Sequence, residues 1–163
     1  MIDPKLTGRA RVEAALECLG IDAEIVTPGI PMPTVPLAAE AIGCTVEQII
    51  KTVVFATSDR QPVIAIANGT RRIDRRRLAE AVGAASLKLA DPAFVLDVTG
   101  YPAGGVSPIG IRTVNVPMIV DIAVFDQESV YGGAGTEDDL LHIATDELIE
   151  VTGGRVCPIT RAD

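Results

Sequence analysis

Within the run QIIKTVVFA, Lys51 is the one charged residue among mostly apolar neighbours. A cation so placed suits three roles. It can guard a sheet edge against further pairing. It can snorkel from the start of a strand. It can also be presented into a pocket to hold an anion or a developing oxyanion. Strand alternation puts Lys51, Val53 and Phe55 on one face. A second stretch, GYPAGGVSPIG, carries four glycines and two prolines but no acid, base or thiol. Gly100, Gly104, Gly105 and Gly110 permit positive φ and close approach of a ligand to main chain. Pro102 and Pro108 restrain the segment. It offers amide and carbonyl groups with few side chains in the way, and it serves equally well as a tight crossover. A surface position is expected for it. The third glycine-rich piece, GGAGTEDD from Gly132 to Asp139, reads either as a hairpin loop or as a second pocket wall.

Other chemistries lack their residues. The chain has no GxSxG elbow, no HExxH and no Gly-Lys-Ser/Thr phosphate loop. The only histidine, His142, falls on a candidate strand and reads as a satisfied strand residue. Cys18, Cys44 and Cys157 are far apart, so with one histidine they give no standard zinc site. No metal and no cofactor are expected. The length of 163 residues suits a single domain over 1–163, and 48% hydrophobic content supports a Val, Ile, Leu and Ala core. No apolar run reaches spanning length, so no membrane association is expected. The early charges of the N-terminus lead us to expect a cytoplasmic protein. A formal charge of −8 argues against bulk nucleic-acid binding and against DNA as a partner. A local contact stays open. The basic cluster RRIDRRR, Arg71 to Arg77, is either a solvated loop and first helical turn or a phosphate-facing patch.

These residues need positioning elements. Val12, Ala15, Leu16 and Leu19 have helical spacing, with Gly20 as the stop. The four prolines of PGIPMPTVP demand an extended loop. Thr34 caps a helix over PLAAEAIG, and Thr45 caps another over TVEQII. KTVVFATS and PVIAIAN form an antiparallel hairpin about DRQ. DRRRLAEAVG is a helix capped by Asp74 and stopped by Gly83. SLKLA is a strand, and DPAFVLDVTG a helix with Asp91 as cap and Pro92 at its first position. VPMIVD, SVYGG and DLLHIA are strands, TDELIEVTGG a helix, and RVCPI closes the chain. The mixture implies an α+β domain: one mixed, mostly antiparallel, barrel-like sheet flanked by short helices.

Together these pieces resemble the YbaK/ProX family, the editing domains associated with aminoacyl-tRNA synthetases. EQIIKTVVF is similar to the family's lysine-bearing strand. DPAFVLDVTGYPAGGVSPIG resembles its helix and Gly-Pro loop. PMIVD, GGAGTEDDLLHIATDELIEVTGG and TPGIPMPTVPLAAEAIG match further, in order from about residue 7 to 160. The resemblance implies a small α/β domain that hydrolyses mischarged aminoacyl-tRNA in trans, often beside prolyl-tRNA synthetase. It carries over Lys51 as the key lysine. It marks Gly100, Gly104, Gly105, Val106, Ser107, Pro108 and Gly110 as the substrate loop. AGTEDD differs from the corresponding stretch of the cysteinyl-type members.

An aminoacyl ester is activated, so its hydrolysis needs no strong protein nucleophile. It needs a placed ester, a placed attacker and stabilisation of the tetrahedral oxyanion. The attacker is water, a ribose hydroxyl or a group on the amino acid itself. Thr34, in the Pro31–Pro36 wall, and Gly135 and Thr136, in AGTEDD, are expected to set side-chain size. Arg71, Arg72 and Arg75 are the candidate contacts to the tRNA acceptor end. The alternative is a noncatalytic module that senses an aminoacyl group or joins a synthetase.

Overall fold

The computed structural model describes residues 2–161. Helix α1, Gly8–Leu19, turns Val12 and Ala15 wholly inward and ends at Gly20, whose left-handed φ of 62° closes the last turn. Strand β1, Glu24–Val26, leads to the proline loop. Helix α2, Val35–Ile42, follows, with the Thr34 hydroxyl accepting the Leu37 amide at 3.3 Å. The helix expected over TVEQII is only a 3₁₀ turn, Val46–Gln48. The two isoleucines after it join the sheets instead: Ile50 pairs with Asn68, and Ile49 bridges Tyr131. Their β-branched side chains favour the pleated surface that cross-strand partners supply.

Strands β2, Ile50–Ala56, and β3, Pro62–Asn68, form the expected hairpin, with Lys51 opposite Ala67. The short strand β4, Arg72–Ile73, precedes α3, Arg75–Val82, whose Asp74 cap accepts the amides of Arg76 and Arg77. The strand expected over SLKLA shrinks to β5, Lys88–Leu89. Helix α4, Pro92–Thr99, runs into the glycine loop, and β6, Met118–Asp121, follows it. Strands β7, Ser129–Gly133, and β8, Leu140–Ala144, then α5, Thr145–Thr152, and β9, Arg155–Cys157, come next. The last strand is β10, Thr160–Arg161, antiparallel to β4.

The strands make three sheets, ordered β5-β2-β3-β6-β9, β1-β8-β7 and β4-β10. The β3–β6 and β6–β9 pairs are parallel and the other ladders antiparallel. The fold is therefore α+β with a mixed, mostly antiparallel arrangement, but the strands do not close into a barrel. The parallel bridge from Ile49 to Tyr131 links the two larger sheets.

Alternation divides the packing about β2. Ile50 and Val54, with Ile64 and Ile66 of β3, enter a core shared with α1, β7, β8 and α5. Phe55, Val63 and Ala65 face the other way, onto Leu78 and Ala79 of α3 and onto Ile159. Burying a side chain such as Leu78 contributes about 1.5–3 kcal/mol.

Candidate active site

Lys51 sits half-buried on the face of β2 that also carries Val53 and Phe55. Its ammonium donates to the Arg71 carbonyl at 2.7 Å. Lys51 thereby lines a cleft of about 600 Å³ together with Arg72, Asp74, Arg75, Arg76 and Arg161. The predicted RNA contacts thus divide. Arg72 and Arg75 reach this cleft with Lys51. The Arg71 guanidinium turns inward, its Nε donating to the Thr160 hydroxyl at 2.6 Å and lying 3.8 Å from Asp121.

Asp121 is a hub that sequence reasoning missed. It is 1% exposed, and one carboxylate oxygen accepts the amides of Ile159 and Thr160 at 2.8 and 3.0 Å. The other accepts the Thr160 hydroxyl at 2.9 Å and the Ala123 amide at 3.1 Å. These bonds fix β10 beside β4, and through Arg71 they fix the carbonyl on which Lys51 rests. The signal in the sequence was an aspartate closing the apolar run PMIVD.

The glycine loop differs from its surface expectation. Pro102, Ala103 and Gly104 are exposed, but Gly105 through Ile109 are buried, and Ser107 and Tyr101 are fully enclosed. Chain, rather than ligand, occupies the room its glycines leave. A Cβ on Gly105 would stand 2.9 Å from the Gly135 carbonyl carbon and from the Thr136 amide nitrogen. A Cβ on Gly100 would meet the Arg11 side chain at 2.7 Å. Arg11 is itself 3% exposed and donates to the Gly110 carbonyl at 2.6 Å, so its side chain packs on one end of the loop and bonds the other. Its signal was an arginine one turn from Ala15 on the apolar stripe of α1. The Tyr101 hydroxyl donates to the Ile109 carbonyl at 2.7 Å, and burial pushes its pKa well up.

The second glycine piece packs directly on the first. Gly135 donates to the Gly105 carbonyl at 2.8 Å. Gly104 opens toward Glu137, whose carboxylate would lie 3.6 Å from a Cβ there. Beside them Asp139, 6% exposed, accepts from Thr136 at 2.6 Å, from Arg9 at 2.8 Å and from Thr27. Burial works to raise the Asp139 pKa, but the hydroxyls of Thr136 and Thr27 and the Arg9 guanidinium outweigh it and hold it below the usual carboxylate range. Gly100–Gly110, Gly135 and Thr136 therefore form one assembly, which packs on the Ile50 side of β2: a Cβ on Gly132 would meet both Ile50 and Pro108. Lys51 points from the other face of the same strand. Thr34 belongs to neither group in its bonding, since its hydroxyl is used as the α2 cap.

His142 is where a satisfied strand histidine was expected, on β8. It stacks on Tyr131 with centroids 4.2 Å apart and lies 3.0 Å from the Ser129 hydroxyl. Burial raises the Cys44 thiol pKa, so that sulfur is not activated as a nucleophile. Among the described residues no three His, Cys, Asp or Glu side chains gather as a metal centre needs.

Comparison with known proteins places this geometry among relatives. The family model described as the aminoacyl-tRNA editing domain matches residues 30–151. A proline–tRNA ligase of Desulforamulus reducens is 30% identical over 159 residues, covering 91% of this chain but 27% of that protein. The chain thus spans only about a quarter of such a ligase. An Enterococcus faecalis protein named "Putative Cys-tRNA(Pro)/Cys-tRNA(Cys) deacylase EbsC" is 27% identical, with 75% of this chain and 74% of that one covered. A solved structure described as "a putative trans-editing enzyme for prolyl tRNA synthetase" superposes with a TM-score of 0.87 at 29% identity, over 99% of this chain and 100% of that one.

Proposed function

The chain belongs to the aminoacyl-tRNA editing domain family, and from that premise we propose that it hydrolyses, in trans, the ester of a mischarged tRNA. The substrate is a small amino acid on tRNA(Pro) or a related tRNA, and prolyl-tRNA synthetase is the partner whose errors are removed. The cytoplasm, where translation runs, is the proposed site of action. One observation carries the reading. In a chain of net charge −8, Lys51 is held on a main-chain carbonyl at the rim of a cleft carrying four arginines. That arrangement suits a polyanion that ends in an ester.

Water adds to the ester carbonyl carbon, the bond from that carbon to the ribose oxygen breaks, and the water proton passes to the departing oxygen. The products are the free amino acid and a tRNA with its hydroxyl restored. Lys51 supplies charge to the ribose-phosphate end or to the oxyanion, and losing such a donor costs roughly 2.7–4 kcal/mol in the barrier. We assign side-chain sensing to the exposed crest of the glycine loop, Pro102–Gly104, and the neighbouring Thr136–Glu137 segment, an assembly on the face of β2 opposite Lys51, so that the substrate would have to reach both sides of that strand. The buried foot, Gly105–Ile109, holds the crest in place. Editing of this kind answers a physical limit: a synthetase pocket distinguishes one methylene by only about 1–3 kcal/mol.

The test is single-turnover deacylation across a panel of mischarged tRNAs. Release of a small amino acid from at least one pair, lost on Lys51→Ala, is the expected result. Tight binding of the aminoacyl-tRNA with no hydrolysis of any pair would instead identify a noncatalytic module.

A further inference from the structure

The strand pair β4–β10 sets Arg161 directly opposite Arg72 in its register. Like charges in directly opposed cross-strand positions destabilise a sheet. Here the juxtaposition is also enforced: Asp121 holds the preceding residue, Thr160, by its amide and its hydroxyl. Arg75 and Arg76 of α3 line the same cleft. Arg76 has a partner in Glu80 at 3.6 Å, a fully surface pair. Among the described residues no carboxylate lies within ion-pair distance of Arg72, Arg75 or Arg161. Asp74 also lines this cleft; one of its oxygens caps α3, and its single charge, which acts on Arg161, is shared with Arg77 at 3.9 Å, so it offsets the four arginines only in part.

We infer that this cleft is a binding site for the backbone phosphates of a single-stranded RNA end, with Arg161 and Arg72 as its central pair. The inference rests on the deacylase reading for the identity of the RNA, and it extends that reading to residues outside the family-matched segment, since Arg161 lies beyond residue 151. Phosphate supplies the charge that relieves the opposed arginines. The apolar lining separates RNA from an acidic protein surface as the occupant. Leu89 is 57% exposed beside Val53 and Ile73, and unstacked bases lie on such apolar faces and on guanidinium planes. Asp121 is a positioning residue in this account, because it acts through the placement of β10.

The experiment compares two substrates of the full chain, an aminoacyl-tRNA and the same amino acid esterified to adenosine without phosphate. Variants are Arg161→Ala, Arg72→Ala and Arg75→Ala, the last on the exposed face of a helix where the fold is not at stake. A further variant, Arg161→Lys, keeps the charge. Each alanine variant is expected to lower the ratio of kcat/KM on tRNA to that on the adenosine ester by about tenfold, mainly through KM. It is also expected to reduce the slope of log KM against log salt by about 0.7–0.9 per arginine. Arg161→Lys is expected to restore most of both. An equal loss on both substrates, or an unchanged salt slope, overturns the inference. So does loss of synthetase association with tRNA KM intact, which would identify a protein surface. If the wild-type chain hydrolyses neither substrate, fluorescence anisotropy with a short labelled single-stranded RNA still decides. Binding weakened about tenfold by Arg161→Ala and Arg75→Ala supports the cleft even though the deacylase reading has failed. Binding indifferent to both overturns it.

Discussion

At the glycine loop, main chain packs on main chain. Gly105 lies against Gly135 and Thr136, and Arg11 lies against Gly100 while bonded to Gly110. At the cleft beside Lys51, Arg72 and Arg161 are neighbours on paired strands and line an open volume with Arg75, Arg76 and one carboxylate, Asp74. The first region has filled the room that its glycines leave, whereas the second keeps an open volume. Glycine richness therefore marks close approach in this protein without saying what approaches, whereas the enforced Arg72–Arg161 pairing is the ground of the proposed RNA site.

That contrast breaks most easily at the glycines. Gly135→Ala forces a Cβ at φ 92° into the main chain of Gly8 and Arg9. Gly105→Val meets main chain that cannot step aside. Each is expected to cost about 3 kcal/mol or more, at the upper end of overpacking effects, read as a lower urea midpoint with an unchanged slope. A Gly105→Val protein with wild-type stability and a selective loss of hydrolysis would show that substrate, not chain, needs that space.

Lys51→Ala tests the other side. The expected loss is roughly a hundredfold in single-turnover deacylation, about 2.7 kcal/mol in the barrier. The hydrogen bond given up to the Arg71 carbonyl contributes about 1 kcal/mol of stability. A variant that melts early and retains its rate would move Lys51 into the structural class.

Ser107→Ala sharpens the comparison at smaller cost. Its hydroxyl is wholly enclosed and accepts the Ile109 amide at a long 3.4 Å. The expected outcome is a loss of about 1 kcal/mol in stability, with most of the deacylation rate kept. Abolished hydrolysis at unchanged stability would make the hydroxyl a working group.

The weakest effect appears only in acid. The Asp139 pKa is lower in the folded chain than in the unfolded one, so its stabilising contribution is complete above the unfolded value of about 3.9. That contribution fades as pH falls below that value through the folded one. Urea midpoints between pH 6 and pH 2.5 should show a decline that Asp139→Asn reduces. An identical decline in the variant would place the acid sensitivity elsewhere.

Much of this was legible from local rules. The caps Thr34, Asp74 and Asp91, the glycine stops after α1 and α3, and the β2–β3 hairpin all follow from interactions within a few residues. The face shared by Lys51, Val53 and Phe55 followed from the two-residue period of a strand. The failures have one physical origin. TVEQII became a turn and a strand start because Asn68 and Tyr131, distant in sequence, offered partners to Ile50 and Ile49. RRIDRRR hid a strand whose partner is the last described segment of the chain. The loop expected at the surface was buried by Gly135 and Arg11. Residue types and short spacings determined the elements, the candidate lysine and the glycine loop. Only tertiary structure decided that Arg161 joins Lys51, that Asp121 holds them in place, and that the glycines make room for chain, because those outcomes depend on contacts between residues about 30 to 100 positions apart.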